Sequence, residues 1–165
     1  FSKRQKEVYN ACLHLHNYAK SILKPGISII QYTDKVGVEA SKQFEKIGLI
    51  TKAAIKNQDP ENPAYRKYLY HGISHHLGLD VHDCAKARKE NYTDAILREG
   101  MVITVEPGLY IQPDDELFTP EYRGIGIRIE DDVVVTADGC RNLSERIPRH
   151  PDAVEEWIRT LQQAR

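Results

Sequence analysis

Residues 125–130 read IGIRIE and continue into DDVVV, an alternating pattern that predicts a β-strand. Its three isoleucines alternate with other residues, so they would lie on one face of a strand, with Arg128 and Glu130 on the other. A second alternating stretch, MVITVE at 101–106, ends in Glu106 and is followed by a Pro-Gly pair that forces a turn. The second half of the chain is therefore predicted to form a β-sheet with charged residues on one face.

The first half of the sequence has helical periodicity instead. Ser2 and Gln5 have the spacing of a capping box, and apolar residues then recur at helical spacing over residues 3–23. A second helix is predicted with Thr33 as its N-cap and with its end at Gly48. The sequence thus predicts two long helices before the strands.

A polar stretch that contains two prolines, residues 56–67, is predicted to be an exposed loop. After Pro151, apolar residues at helical spacing predict an amphipathic C-terminal helix. Helices that come first and strands that come later are typical of an α+β arrangement, because alternating βαβ units would interleave the two.

Length and composition limit the classes of protein to which this chain can belong. Its 165 residues suit one domain, and 41% hydrophobic and 28% charged residues are globular values. No apolar run approaches the roughly 20 residues that cross a bilayer, so no membrane association is predicted. The 23 basic and 24 acidic side chains nearly cancel, which argues against a nucleic-acid partner.

Cys12, Cys84 and Cys140 are odd in number and lack CxxC spacing, which argues against a disulfide framework and a thiolate zinc site. A reducing compartment fits best, so a cytoplasmic location is expected. The sequence begins with Phe1 and shows no secretory leader. We therefore expect a piece of a longer protein.

Four of the seven histidines lie between His71 and His82, a density that packing alone does not explain. Any one of them, taken singly, could be a solvated or core histidine. Glu106 could likewise be a surface residue, and Glu130 could form an ion pair on an edge strand. As a set, imidazole and carboxylate groups on separate segments suit a manganese, zinc, cobalt or iron site.

Three stretches together resemble motifs of a known family: HGISHHLGLDVHD at 71–83, ITVEPGLY at 103–110 and YRGIGIRIEDDVVVT at 122–136. In this order they are similar to the pita-bread metallopeptidases of the aminopeptidase P and prolidase group, and the RGIGIRIE wording favours aminopeptidase P. The resemblance implies a pita-bread fold that is incomplete at its N-terminus. Residues 1–165 would be the C-terminal portion of the catalytic domain, without the upstream part.

The resemblance also implies a dinuclear metal site. Members of the family hold two divalent ions with two aspartates, one histidine and two glutamates. Here His75 and Glu106 would bind one metal and Glu130 would bridge both, with manganese the first expectation and zinc, cobalt or iron as alternatives. The two aspartates would lie upstream of Ser2, so the chain alone is expected to be inactive or nearly so.

Roles for other residues follow from the same resemblance. Glu106 would also act as general base and acid, and His82 would hydrogen-bond the substrate carbonyl. His71 would line the substrate pocket, and Arg128 would hold the ligating carboxylates in place.

The implied activity is hydrolysis of the bond between an N-terminal residue and proline. The implied partners are a peptide with proline in second position and, for the full-length protein, further copies of itself. A prolidase-like or creatinase-like hydrolase remains an alternative, because the metal motifs do not fix the substrate. A metal-free pita-bread binding module is a third possibility.

Overall fold

The computed structural model describes residues 1–83 and 95–164. Its α-helices are α1 (Lys3–Ile22), α2 (Ile29–Lys46), α3 (Lys52–Lys56) and α4 (Pro151–Gln163). Its strands are β1 (Val102–Val105), β2 (Gly108–Tyr110), β3 (Gly126–Arg128), β4 (Asp131–Val135) and β5 (Cys140–Asn142). Short 3-10 helices cover Ala64–Lys67 and Pro120–Tyr122. The predicted α+β order, with long helices before the strands, is confirmed.

Capping boxes start both long helices. The predicted box of α1 is confirmed, since the Ser2 hydroxyl accepts from the Gln5 amide at 3.2 Å and the Gln5 side chain accepts from the Ser2 amide at 2.8 Å. The prediction that Thr33 caps α2 is wrong. Ser28 and Gln31 form the same reciprocal pair and start the helix earlier. The Ser-x-x-Gln pattern gives hydrogen-bond partners to two backbone amides at the helix start that would otherwise have none, which a lone threonine cannot do.

The segment predicted as an exposed loop is more ordered than its composition indicates. It contains the end of α3 and the 3-10 helix at Ala64–Lys67. Tyr65 of that helix is buried, with its ring so close to Gly37 of α2 that a Cβ on Gly37 would lie 2.5 Å from the ring Cζ. Burial of this aromatic ring orders a segment whose neighbours are polar.

The strands pair in one continuous antiparallel register. In the three-stranded sheet β1–β4–β5, Val105 lies opposite Asp131. In the two-stranded sheet, Gly108 lies opposite Arg128. Both pairs belong to the same register, so the two sheets are parts of one long ribbon that is interrupted only around Glu106 and Pro107.

The other edge of β1 pairs with the histidine-rich segment. The Glu106 amide donates to the Ile73 carbonyl at 2.9 Å and the Thr104 amide donates to the His75 carbonyl at 2.9 Å. At the start of β1, the Val102 carbonyl accepts from the Leu77 amide at 3.0 Å. β1 therefore lies between residues 73–77 on one side and β4 on the other.

The two faces of the ribbon have different environments. Ile103, Val105 and Val133 are fully buried in the core, where α1 packs on the strands and α2 packs on α1. On the opposite face, Arg128 and Glu130 are exposed. The predicted placement of Arg128 and Glu130 on one face is confirmed, because alternate residues of a strand point to opposite sides.

One charged residue, Asp131, lies on the helix-covered face with its side chain fully buried. Its carboxylate accepts from Lys20 Nζ at 2.8 Å, from Asn142 Nδ2 at 2.8 Å and from Arg149 Nε at 2.6 Å. A ring nitrogen of His16, also fully buried, lies 3.1 Å away. This cluster joins α1, β5 and the segment before α4 to the strand that follows Glu130.

The predicted C-terminal helix is present as α4. Three of its apolar side chains, Trp157, Ile158 and Leu161, are about half exposed, at 48%, 45% and 51%. Among the described residues, no helix combines the length and apolar character that crossing a bilayer requires.

Candidate metal centre

The strand register brings the two predicted glutamate ligands together. Continued by one residue beyond Val105 and Asp131, it sets Glu106 opposite Glu130. Opposite residues in an antiparallel pair have Cβ atoms roughly 4.5–5.5 Å apart, and like charges there repel. Two carboxylates in this position favour a cation between them.

His75 completes a group of three. Its Nε2 lies 3.1 Å from Glu106 Oε1, across the ladder that joins residues 73–77 to β1. One donor atom each from His75, Glu106 and Glu130 lie within 4.8 Å of one another. Among the described residues, this is the group of histidine, cysteine and carboxylate side chains whose donor atoms are close enough to share a metal ion.

The chemistry of these donors suits a divalent metal. His75 Nδ1 lies 3.0 Å from the His76 carbonyl, which can accept a hydrogen bond, and a proton on Nδ1 would leave the lone pair of Nε2 free for a metal. Histidines that bind metals are oriented in this way. Burial and the negative charge of Glu106 raise the pKa of Glu130. A cation bound between the two carboxylates would offset their mutual repulsion and the cost of burying the Glu130 charge. A combination of nitrogen and oxygen donors suits manganese, zinc, cobalt or iron.

Arg128 reaches the site from the same strand face as Glu130. Its Nη1 lies 3.8 Å from Glu106 Oε2, and its Nε donates to the Tyr110 hydroxyl at 2.8 Å. The predicted proximity to a site carboxylate is thus found at Glu106. The guanidinium also lies 5.9 Å from the centre of the Tyr110 ring.

The two other predicted histidines have different neighbours. The centre of the His82 ring is 4.3 Å from the centre of the His75 ring, and His82 is exposed. His71 lies beside Tyr110, with Nε2 2.9 Å from the Tyr110 hydroxyl and Nδ1 2.6 Å from the Gly72 carbonyl. Through Tyr110, His71 is connected to the guanidinium of Arg128.

A cavity of about 250 Å³ lies beside His71. It is lined by α2, the 3-10 helix at Ala64–Lys67 and the segment from Leu69 to Ile73. His71 therefore lines a cavity whose residues precede the candidate ligand His75 in the sequence, and its place in a substrate pocket stays a prediction.

Sequence reasoning assigned no role to Tyr110, which the structure places at the site. Its ring lies over two glycines of the ribbon, and a Cβ added to Gly108 would lie 2.5 Å from its Cε2. A Cβ on Gly126, the residue opposite Tyr110, would lie 3.1 Å from its Cδ1. The signal was present in the sequence, because Tyr110 is on the same strand face as Glu106 and ends the motif ITVEPGLY.

Thr104, which shares the strand face of Glu106, was likewise given no role from the sequence. The structure sets its hydroxyl between Glu106 and the backbone of His75. Of the cysteines, Cys12 is buried and Cys140 is half-buried, and neither has a disulfide partner among the described residues. Cys84 lies outside the described residues.

Comparison with known proteins adds independent information. Residues 1–137 match the model of metallopeptidase family M24. The chain is 44% identical over 161 residues to Xaa-Pro aminopeptidase 1 of Streptomyces coelicolor, covering 98% of this chain and 32% of that protein. It is 40% identical over 155 residues to the Xaa-Pro aminopeptidase of Escherichia coli, covering 94% of this chain and 34% of that protein.

Solved structures of aminopeptidase P are also similar to this chain. Aminopeptidase P from E. coli with the inhibitor Pro-Leu superposes with a TM-score of 0.84 at 37% identity, covering 99% of this chain and 36% of that one. A zinc-substituted form in complex with product gives a TM-score of 0.81 at 38% identity, covering 94% and 34%. These likenesses confirm the predicted pita-bread fold. The chain spans about a third of the length of the relatives that it matches.

Proposed function

Because this chain belongs to metallopeptidase family M24, we propose that it carries part of the metal centre of an Xaa-Pro aminopeptidase. The reaction is hydrolysis of the bond between an N-terminal residue and a following proline. The observation that carries this proposal is the convergence of His75, Glu106 and Glu130, whose donor atoms lie within 4.8 Å of one another. The two curated relatives reported above, at 44% and 40% identity, are both Xaa-Pro aminopeptidases.

The proposed site holds two divalent metal ions, with manganese as the first candidate and zinc, cobalt or iron as alternatives. His75 and Glu106 would hold one ion, and Glu130 would be shared by both. Two further carboxylate ligands come from polypeptide outside this chain, which forms the C-terminal portion of the catalytic domain. When bound, such ions activate water and polarise the carbonyl of the scissile bond.

The residues of this chain have separate tasks in the proposed reaction. Glu106 accepts a proton on its carboxylate and returns it to the leaving proline nitrogen. His82 is exposed beside His75 and donates a hydrogen bond to the carbonyl oxygen of the substrate. Arg128 holds Oε2 of Glu106, while Tyr110 and His71 form the wall next to it.

The proposed substrate is a peptide with proline in second position. We expect the full-length protein to act in the cytoplasm as a homo-oligomer. Near-balanced charge, with 23 basic and 24 acidic side chains, gives no support for a nucleic-acid partner.

A pair of assays tests the proposal. The 165-residue chain and the full-length gene product are each incubated with an Xaa-Pro peptide, once with manganese and once with a chelator. We expect the full-length protein to release the N-terminal residue only with metal, and the chain alone to release little or none. The reason is ligand number, since His75, Glu106 and Glu130 supply three of five expected donors.

Three outcomes would contradict the proposal. Efficient metal-dependent cleavage by the chain alone would show that no ligands are needed from outside it. A full-length protein that binds manganese and cleaves no Xaa-Pro peptide would favour a prolidase-like or creatinase-like hydrolase. Absence of both metal binding and cleavage would favour a pita-bread binding module.

A further inference from the structure

Thr104 lies in the middle of β1 and is buried, with 1% of its surface exposed. Its hydroxyl nevertheless makes two hydrogen bonds, each to a predicted metal ligand. It donates to Glu106 Oε1 at 3.1 Å and accepts from the backbone amide of His75 at 2.9 Å. This one side chain thus contacts two of the three residues in the candidate metal centre.

The backbone of Thr104 fixes the same two segments. Its amide donates to the His75 carbonyl at 2.9 Å, and its own carbonyl accepts from the hydroxyl of Ser74. Thr104 is therefore held against residues 74 and 75 by its main chain. Its side chain in turn hydrogen-bonds Glu106, which is two residues further on and on the same strand face.

The direction of the two hydroxyl bonds has a consequence for Glu106. A hydroxyl has one proton, and the His75 amide is itself a donor, so the hydroxyl proton must point to Glu106. This fixes Oε1, the carboxylate oxygen that also lies 3.1 Å from His75 Nε2. The other oxygen is left facing Arg128 at 3.8 Å. Thr104 therefore determines which oxygen of Glu106 faces the imidazole.

We propose that Thr104 is a positioning residue whose hydroxyl holds Glu106 Oε1 beside His75 Nε2, in the arrangement in which both donors bind one divalent metal. This rests on the proposed function in one respect, that the site takes such an ion. Thr104 itself does not touch metal or substrate. Residues that orient metal ligands in this way typically change metal affinity by about 10- to 100-fold when they are replaced.

The test compares pairs of variants that differ in the hydroxyl. Thr104→Val keeps the shape of the side chain and its preference for a strand, and removes the hydroxyl. Thr104→Ala and Thr104→Ser are both smaller, and only Ser keeps the hydroxyl. Thr136→Val is the matched control, because the Thr136 hydroxyl bonds Asp138 and does not contact the site.

Manganese affinity of the full-length protein is measured by titration, with the electron paramagnetic resonance signal of free Mn²⁺ as the readout and with circular dichroism as the check on folding. We expect Thr104→Val and Thr104→Ala to bind manganese about 10- to 100-fold more weakly. Thr104→Ser should stay near the wild type, and Thr136→Val should equal it.

Equal manganese affinity in the Ala and Ser variants would overturn the proposal, as would wild-type affinity in a folded Thr104→Val protein. If Val at this position prevents folding, the Ala and Ser pair still decides the question. No peptide is used in this titration. A protein that binds manganese and fails to cleave Xaa-Pro peptides would therefore refute the proposed reaction, while the order of affinities among the variants would still decide the role of Thr104.

Discussion

Replacement of Asp131 by asparagine should destabilise the fold by about 3 kcal/mol, because it removes the negative charge from a buried cluster of positive groups. The carboxylate is fully buried and bonds Lys20, Asn142 and Arg149, with His16 close by. Asparagine has nearly the same shape. It would present an amide donor where the cluster needs an acceptor, so at least one neighbouring donor would lose its partner.

The magnitude follows from how buried each partner is. Breaking a fully buried ion pair by removal of one member costs about 3–5 kcal/mol. The side chains of Lys20 and Arg149 are 21% and 15% exposed, so water can partly solvate them after the change. This places the loss at the lower end, about 3 kcal/mol. For a chain of this size, that loss corresponds to a melting temperature lower by roughly 6–12 °C.

Urea denaturation at neutral pH measures this loss. Asp132→Asn is the matched control, because Asp132 is the next residue of β4 and its side chain lies on the opposite face. The control should change the free energy of unfolding by no more than about 0.5 kcal/mol. If Asp131→Asn lies within the same limit, the buried cluster does not hold the sheet to α1 and the reasoning is wrong.

The same cluster predicts a pH dependence. Burial would raise the pKa of Asp131, but the bonds from His16, Lys20 and Arg149 outweigh it and hold the pKa well below its usual range. Its contribution to stability is therefore complete above the pKa of the unfolded chain, about 4, and is lost as the pH falls towards the folded value. Stability should decline less steeply in acid for Asp131→Asn than for the wild type. Equal slopes of the free energy of unfolding against pH in the two proteins would contradict this prediction.

Three further substitutions test the site. Glu106→Gln should lower metal-dependent cleavage of an Xaa-Pro peptide by about 10²–10⁴-fold, measured as kcat, because the amide cannot accept a proton. Arg128→Lys should lower kcat/KM by about 10- to 100-fold, since a lysine cannot contact the carboxylate and Tyr110 together. Gly108→Ala should destabilise the fold by about 1–3 kcal/mol in a thermal melt, because its Cβ would overlap the Tyr110 ring. Gly72→Ala, where the nearest atom is 3.9 Å away, is the control for this last variant.

The sequence correctly predicted those elements that depend only on residues close together in the chain. The capping box at Ser2 and the alternation at 125–130 both depend on residues within one turn or one strand, and both are confirmed. The start of α2 was predicted wrongly because Ser28 follows a Pro-Gly turn closely, and Thr33 also fits the statistics of a cap. The strand β2 was not predicted, since Pro107 reads as a turn although the register continues beyond it.

The candidate site depended on contacts that no local pattern contains. Nothing in HGISHHLG has the period of a strand, so its pairing with β1 could not be predicted from that segment. Without that pairing, neither the distance from His75 to Glu106 nor the bonds of Thr104 could be inferred. The family resemblance named the three candidate ligands. Arg128 was predicted to orient them, whereas Thr104 became visible as such a residue only when the strands were in register.

The three candidate ligands lie on three neighbouring segments with β1 in the middle. His75 belongs to the segment on one edge of β1, Glu106 directly follows β1, and Glu130 precedes β4 on the other edge. Because side chains alternate along a strand, a slip of one residue in either pairing would move a ligand to the helix-covered face. The site can therefore form only when both edges of β1 are paired correctly. A metal ion that binds all three donors would in turn stabilise that register, so metal binding and correct strand pairing should be coupled.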